Sequence, residues 1–248
     1  MFRSGLVSVS FRGNTTSEII KAAAEAGLSC IEWGSDIHAK NDDTDGLKKI
    51  RKECAENGID CCSYGTYFRI GQNDDSEILP YINAAKILGT DILRVWCGTK
   101  SAAEYSCGEK KSLFDQCVRL DRTARRENVK LCLECHHNTF TDTADEAVRL
   151  IESVGSQNFR MYWQPNQYKT EEENIEYAGK IAFAVETVHV FNWKGDEKYP
   201  LADAAKLWIR YLSFFKDLPV LLEFMPDGKL GTLFSEAKTL KKITGELI

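Results

Sequence analysis

Polar and apolar positions alternate with a period of two through Leu131-Cys-Leu-Glu134-Cys-His136. On a strand, Leu131, Leu133 and Cys135 take one face, and Cys132, Glu134 and His136 take the other. Similar short apolar runs alternate with longer amphipathic ones along the whole chain. The pattern predicts strands at 6–11, 29–33, 60–67, 91–96, 130–136, 159–164, 186–191 and 219–224. Between and after them it predicts helices ending near 26 and spanning 44–57, 76–88, 111–127, 144–153, 171–180, 201–215 and 233–246. Thr15-Thr-Ser-Glu18 and Thr143-Ala-Asp-Glu146 read as capping boxes that start two of these helices. Gly27, Gly58 and Gly89 recur 31 residues apart, each between a helical pattern and a strand. One βα unit of a barrel has about that length. A doubly wound open sheet repeats the same unit, but no GxGxxG follows the first strand. Eight strands, each followed by a helix, predict an α/β fold: a single (β/α)8 TIM barrel over residues 1–248.

Composition narrows the functional classes. The chain has 248 residues, is 43% hydrophobic and carries a net charge of −5. No long basic run appears, so nucleic acid is not an expected partner. No apolar stretch reads as a signal peptide or membrane span, and nine scattered cysteines fit a reducing cytoplasm. The cysteine pattern predicts no zinc knuckle.

In such barrels the chemistry sits at the C-terminal ends of the strands. The residues found there are Glu32 and Trp33, Arg94 and Trp96, Glu134 and His136, Trp163 and Gln164, His189 with Trp193 beyond it, and Glu223. Glu134 and Glu223 end buried apolar strands, where a lone carboxylate costs several kcal/mol unless it is paired, hydrogen-bonded or metal-bound. The tryptophans read either as stacking faces for a sugar ring or as core filling. Arg94 reads either as a holder of an anionic or hydroxyl group or as an ion-pair partner of Glu32 or Glu134. His136, Gln167 and Lys194 complete the set of candidate substrate contacts. The stretch 98–112 is the longest without a predicted element, and reads as a lid or a plain connection.

In this order and spacing, Ile31-Glu-Trp, Leu133-Glu-Cys-His, Val188-His-Val and Leu222-Glu-Phe resemble the xylose isomerase-like TIM-barrel superfamily of sugar isomerases and epimerases. The superfamily also includes endonuclease IV-type enzymes, which use more histidines than the four present here. The resemblance implies metal ligands at Glu134, Gln164, His189 and Glu223. It also implies that Glu134 and Glu223 act as the proton-transferring pair, through an enediolate next to a carbonyl. The implied cofactor is a divalent ion (Mn, Zn or Mg) and the implied substrate a small sugar or polyol. Barrels of this kind often form homo-oligomers. One departure stands out. The family usually has Asp on the sixth strand and His three residues later, whereas Gln164 and Gln167 occupy those places here. The neutral amide leaves two outcomes open: a more weakly held, more electrophilic ion, or a barrel that has dispensed with it. An inositol-type dehydratase and a non-catalytic sugar-binding barrel are the alternative functions.

Overall fold

The computed structural model describes residues 1–247. Eight parallel strands close into a barrel: β1 (Arg3–Val7), β2 (Cys30–Gly34), β3 (Asp60–Ile70), β4 (Ile92–Cys97), β5 (Lys130–Glu134), β6 (Phe159–Trp163), β7 (Val185–Val190) and β8 (Pro219–Leu222). Each pairs with its sequence neighbours, and β8 pairs back onto β1 through Arg3–Pro219 to Leu6–Leu222. The helices around it are α1 (Thr16–Glu25), α2 (Thr44–Glu56), α3 (Ile78–Leu88), α4 (Cys107–Arg126), α5 (Ala144–Val154), α6 (Glu171–Ile181), α7 (Ala205–Leu212) and α8 (Leu230–Gly245). The barrel is the one the alternating pattern predicts. The repeat glycines explain its regularity: Gly27, Gly58 and Gly89 have φ of +67°, +68° and +87°, the left-handed region where a helix turns into the next strand.

The boundaries differ in instructive places. The first strand is Arg3–Val7, not 6–11, because Ser8–Phe11 winds into a 3-10 turn. Its serines satisfy neighbouring strands: Ser8 Oγ accepts from Gly34 N at 2.9 Å, and Ser10 Oγ from Phe224 N at 2.8 Å. The stretch 98–112 is more ordered than expected. It holds a 3-10 turn at Ala102–Glu104, and α4 begins at Cys107 under a capping box made by Ser106 and Glu109. The box of Thr15 and Glu18 forms, but the Thr143 side chain makes no capping hydrogen bond. Past β7 the chain makes a small antiparallel hairpin, Trp193–Lys194 against Glu197–Lys198, that the sequence pattern does not reveal.

Strand parity sorts side chains into two cores. Odd neighbours such as Ile31, Trp33, Leu131, Leu133 and Trp163 pack outward in the large core beneath the helices. On β2, β4, β5 and β6 the even positions fill the barrel, Ile92, Cys132 and Tyr162 low down with Glu32, Arg94 and Glu134 above, whereas on β7 and β8 the odd positions His189 and Leu221 point in and Val188, Val190 and Leu222 pack outward. One C-x-x-C spacing does occur, at Cys132 and Cys135, contrary to the expectation from the cysteine pattern. Three residues apart on a strand places the two thiols on opposite faces, and Cys135 is bonded to the Gln164 backbone instead.

Candidate active site

Glu32, Arg94, Glu134 and His189 project from β2, β4, β5 and β7 into the barrel, and all are buried. Arg94 ties the first part together. Its Nε donates to Glu32 Oε1 at 2.9 Å, and its Nη1 donates to Glu134 Oε2. Trp96 Nε1 donates to the same Glu134 oxygen, and the Ser63 hydroxyl donates to Glu32 Oε2 at 3.0 Å. Gly65 makes room for this network, since a Cβ there would stand 2.5 Å from Glu32 Oε1 and 2.7 Å from Arg94 Nη2.

The second part gathers around His189 Nδ1. Gln164 Oε1 lies 3.1 Å from it, Glu223 Oε2 3.6 Å and Glu134 Oε1 3.7 Å. Ligand atoms of Glu134, His189 and Glu223 all lie within 4.8 Å of one another. Donors sharing an ion at about 2.1 Å stand roughly 3.0–3.4 Å apart, so these four could close on one with small adjustments. The other ring nitrogen, Nε2, is 3.5 Å from Glu32 Oε2, the arrangement in which a carboxylate steadies a metal-binding imidazole. The oxygen-rich donor set with one imidazole fits a divalent ion.

The electrostatics point the same way. Burial would raise the Glu32 carboxyl, but Arg94 and His189 hold it at about 2. Burial acts on Glu134 too, and Arg94 with the histidines drives it well below the carboxylate range. Glu223 behaves oppositely. Burial raises it to about 7, opposed by His189 and reinforced by Glu134. Burial disfavours the charged His189, yet Glu223, Glu32 and Glu134 push it up to about 10. A cluster of carboxylates that recruits a proton onto its histidine is one that calls for positive charge.

The structure thus brings Glu134, Gln164, His189 and Glu223 together at one point. Glu32 is fully buried, with both carboxylate oxygens facing protein groups, so it is placed as a support and not as the expected substrate contact. Arg94 makes the ion pairs with Glu32 and Glu134 through Nε and Nη1. Trp33 and Trp163 are corrected as well: each neighbours an inward residue and so faces the helices. Trp33 packs in the outer core near α2, and Trp163 packs against Trp208, Tyr211 and Phe215. Trp96 and His136 remain at the rim, ring centroids 5.6 Å apart, with Tyr67 against Trp96 at 5.3 Å and the Arg69 guanidinium 4.4 Å over it. Gln167 lies in the loop after β6, where its carbonyl accepts from Gly195 N at 3.4 Å. Lys194 is exposed on the hairpin, over the Tyr199 ring. Sequence reasoning did not single out Ser63, Tyr67, Arg69, Phe191, Lys198 or Phe224. Ser63, Tyr67, Phe191 and Phe224 fall within or at the ends of predicted strands, whereas Arg69 and Lys198 lie outside them.

Comparison with known proteins fits this geometry. Residues 20–215 match the family described as xylose isomerase-like TIM barrel. A 3-dehydroshikimate dehydratase of Bacillus anthracis is 27% identical over 172 residues, 63% of this chain, and the match spans 59% of that relative's length. Among solved structures, the probable 3-DHS dehydratase involved in petrobactin synthesis from Bacillus anthracis superposes with a TM-score of 0.83 at 18% identity, covering 97% of this chain and 99% of that one. An IOLI protein with a binding zinc atom superposes with a TM-score of 0.75 at 17% identity, covering 99% and 98%.

Proposed function

This chain belongs to the xylose isomerase-like TIM-barrel family, and from that premise we propose that it removes a proton from the carbon beside a carbonyl in a small polyhydroxylated substrate. Glu223 moves the proton, and Glu134, Gln164, His189 and Glu223 hold a divalent ion. When bound, the ion supplies positive charge to the oxygen on which negative charge develops. The observation that carries this reading is the unequal state of the two glutamates. Glu134 Oε2 is occupied by Arg94 and Trp96, whereas no hydrogen-bond donor engages the Glu223 carboxylate among the described residues. Both carboxylates would face the ion, but Glu134 is fixed by protein donors, and Glu223 is the one left able to exchange a proton.

Two outcomes follow from the same first step. In an isomerase or epimerase a second group returns the proton to the neighbouring carbon or the opposite face, and Glu134 is the family's candidate. In a dehydratase the C–H electron pair becomes a new C=C bond, and a hydroxyl one carbon further on leaves with a proton as water. The second outcome asks for no second carboxylate base. The engaged state of Glu134 favours it, as does the likeness to a dehydratase. Both outcomes are tested by incubating the protein with Mn2+ and a panel of hydroxy ketones in D2O. Dehydration gives a conjugated product with new ultraviolet absorbance. Epimerisation or isomerisation gives deuterium at the exchanged carbon of recovered isomers. Binding without either would identify a non-catalytic barrel, and either activity surviving unchanged in Glu223→Gln would refute the assignment of that residue.

A further inference from the structure

The mouth of the barrel has two unlike walls. In an eight-stranded ring, β3 and β4 stand across from β7 and β8. On the first side, Tyr67, Arg69 and Trp96 are already committed. Arg12 donates to the Tyr67 hydroxyl at 2.7 Å and pairs with Asp36 at 2.5 Å, while Arg69 donates to the Gly98 carbonyl at 2.7 Å. On the second side, Phe191, Trp193 and Phe224 pack ring against ring, with centroids 5.3 Å and 5.2 Å from Trp193; Phe191 is buried behind the half-buried Trp193 and Phe224. Lys198 holds its ammonium 4.9 Å from the Trp193 centroid and 4.8 Å from that of Phe224. Among the described residues no carboxylate lies within 4.0 Å of that ammonium. The adjacent acid, Glu197, is engaged by the Tyr199 hydroxyl.

The backbone is arranged to keep this surface in place. Phe224 directly follows Glu223 and has φ of +57°, a region that bulky side chains rarely adopt. Ser10 Oγ, accepting from Phe224 N, holds it there. A strained residue beside a candidate reactive group is the setting in which strain serves positioning.

We infer that the substrate is a hydroxylated ring bearing a carboxylate, laid against Trp193 and Phe224, with Lys198 receiving the carboxylate. This rests on the reading of Glu223 and its neighbours as the reacting end. A ring can gather its C–H groups on one face to meet an aromatic surface, whereas an open-chain polyol spreads hydroxyls in every direction. A phosphate is best matched by an arginine fork or a cradle of backbone N–H groups; of the hairpin's two lysines Lys194 lies over Tyr199, and Lys198 alone stands over Trp193 and Phe224, a single ammonium that matches a single carboxylate. Its cation–π contacts hold the ammonium without consuming its charge.

The test is equilibrium binding of shikimate, a hydroxylated ring carboxylate, and of its methyl ester, followed by tryptophan fluorescence. Wild-type protein should prefer the acid, and Lys198→Met should weaken acid binding by about 10- to 100-fold while leaving the ester unchanged. Lys198→Arg should keep the preference. Equal binding of acid and ester by wild type, or an equal loss for both in Lys198→Met, would overturn the inference, as would tighter binding of glucose 6-phosphate than of shikimate. Because no turnover is needed, a charge preference without proton exchange would leave this inference standing and remove only the proposed reaction.

Discussion

Glu134 and Glu223 end two strands of the same barrel, yet their surroundings have little in common. Glu134 sits in a polar network with Arg94, Trp96, Glu32 and Ser63. Glu223 precedes the aromatic Phe224, has His189 Nδ1 3.6 Å from its Oε2, and accepts no hydrogen bond among the described residues. The first environment holds a charge in place; the second leaves one unsettled. The difference shows how a symmetrical scaffold gives two identical residues different surroundings, through what the strands on either side contribute.

The most direct way to break this comparison is to neutralise each glutamate in turn. With metal chelated, Glu134→Gln should destabilise the fold by about 3–5 kcal/mol, because Arg94 loses a buried counter-charge. Glu223→Gln should leave the melting temperature equal or higher, while turnover with metal falls roughly 10²- to 10⁴-fold. Equal losses of stability in the two variants, read by thermal unfolding, would show that the two sites do not differ as described. A smaller effect isolates the network alone. Gly65→Ala forces a methyl against Glu32 and Arg94 and should cost about 1–3 kcal/mol, whereas Gly13→Ala, with open space around it, should be neutral. The finest test uses pH. The Glu223 carboxyl is raised from 4.5 to about 7 in the folded state. Its contribution to stability is therefore fully present below about pH 4.5 and lost as pH rises through about 7. In chelated protein the melting-temperature gain of Glu223→Gln over wild type should grow from pH 5 to pH 8, and a constant gain would contradict the raised carboxyl.

Much of this was legible in the chain. The helix-ending glycines and the alternation of Leu131 to Glu134 carry the barrel, because left-handed turns and two-residue periodicity are local properties. The convergence of Gln164, His189 and Glu223 was accessible for the same reason, since the ends of barrel strands meet by construction. Trp33 was misplaced although parity could have settled it, as Glu32 and Trp33 cannot both face inward. Ser8 and Ser10 alternate like strand residues, and only contact with Gly34 and Phe224 turns them into a 3-10 segment. Lys198 carried no signal at all. Its position depends on a two-residue hairpin whose form is set by packing against Phe224, which is distant in sequence.

The bond from Phe224 N to Ser10 Oγ spans 214 positions and crosses the seam where the last strand meets the first. During synthesis, a nascent chain with seven strands outside the ribosome would carry most of the polar network but neither Glu223 nor the contact that fixes the residue after it. Closing the ring with the last strand is therefore also what brings Glu223 and Phe224 into the site.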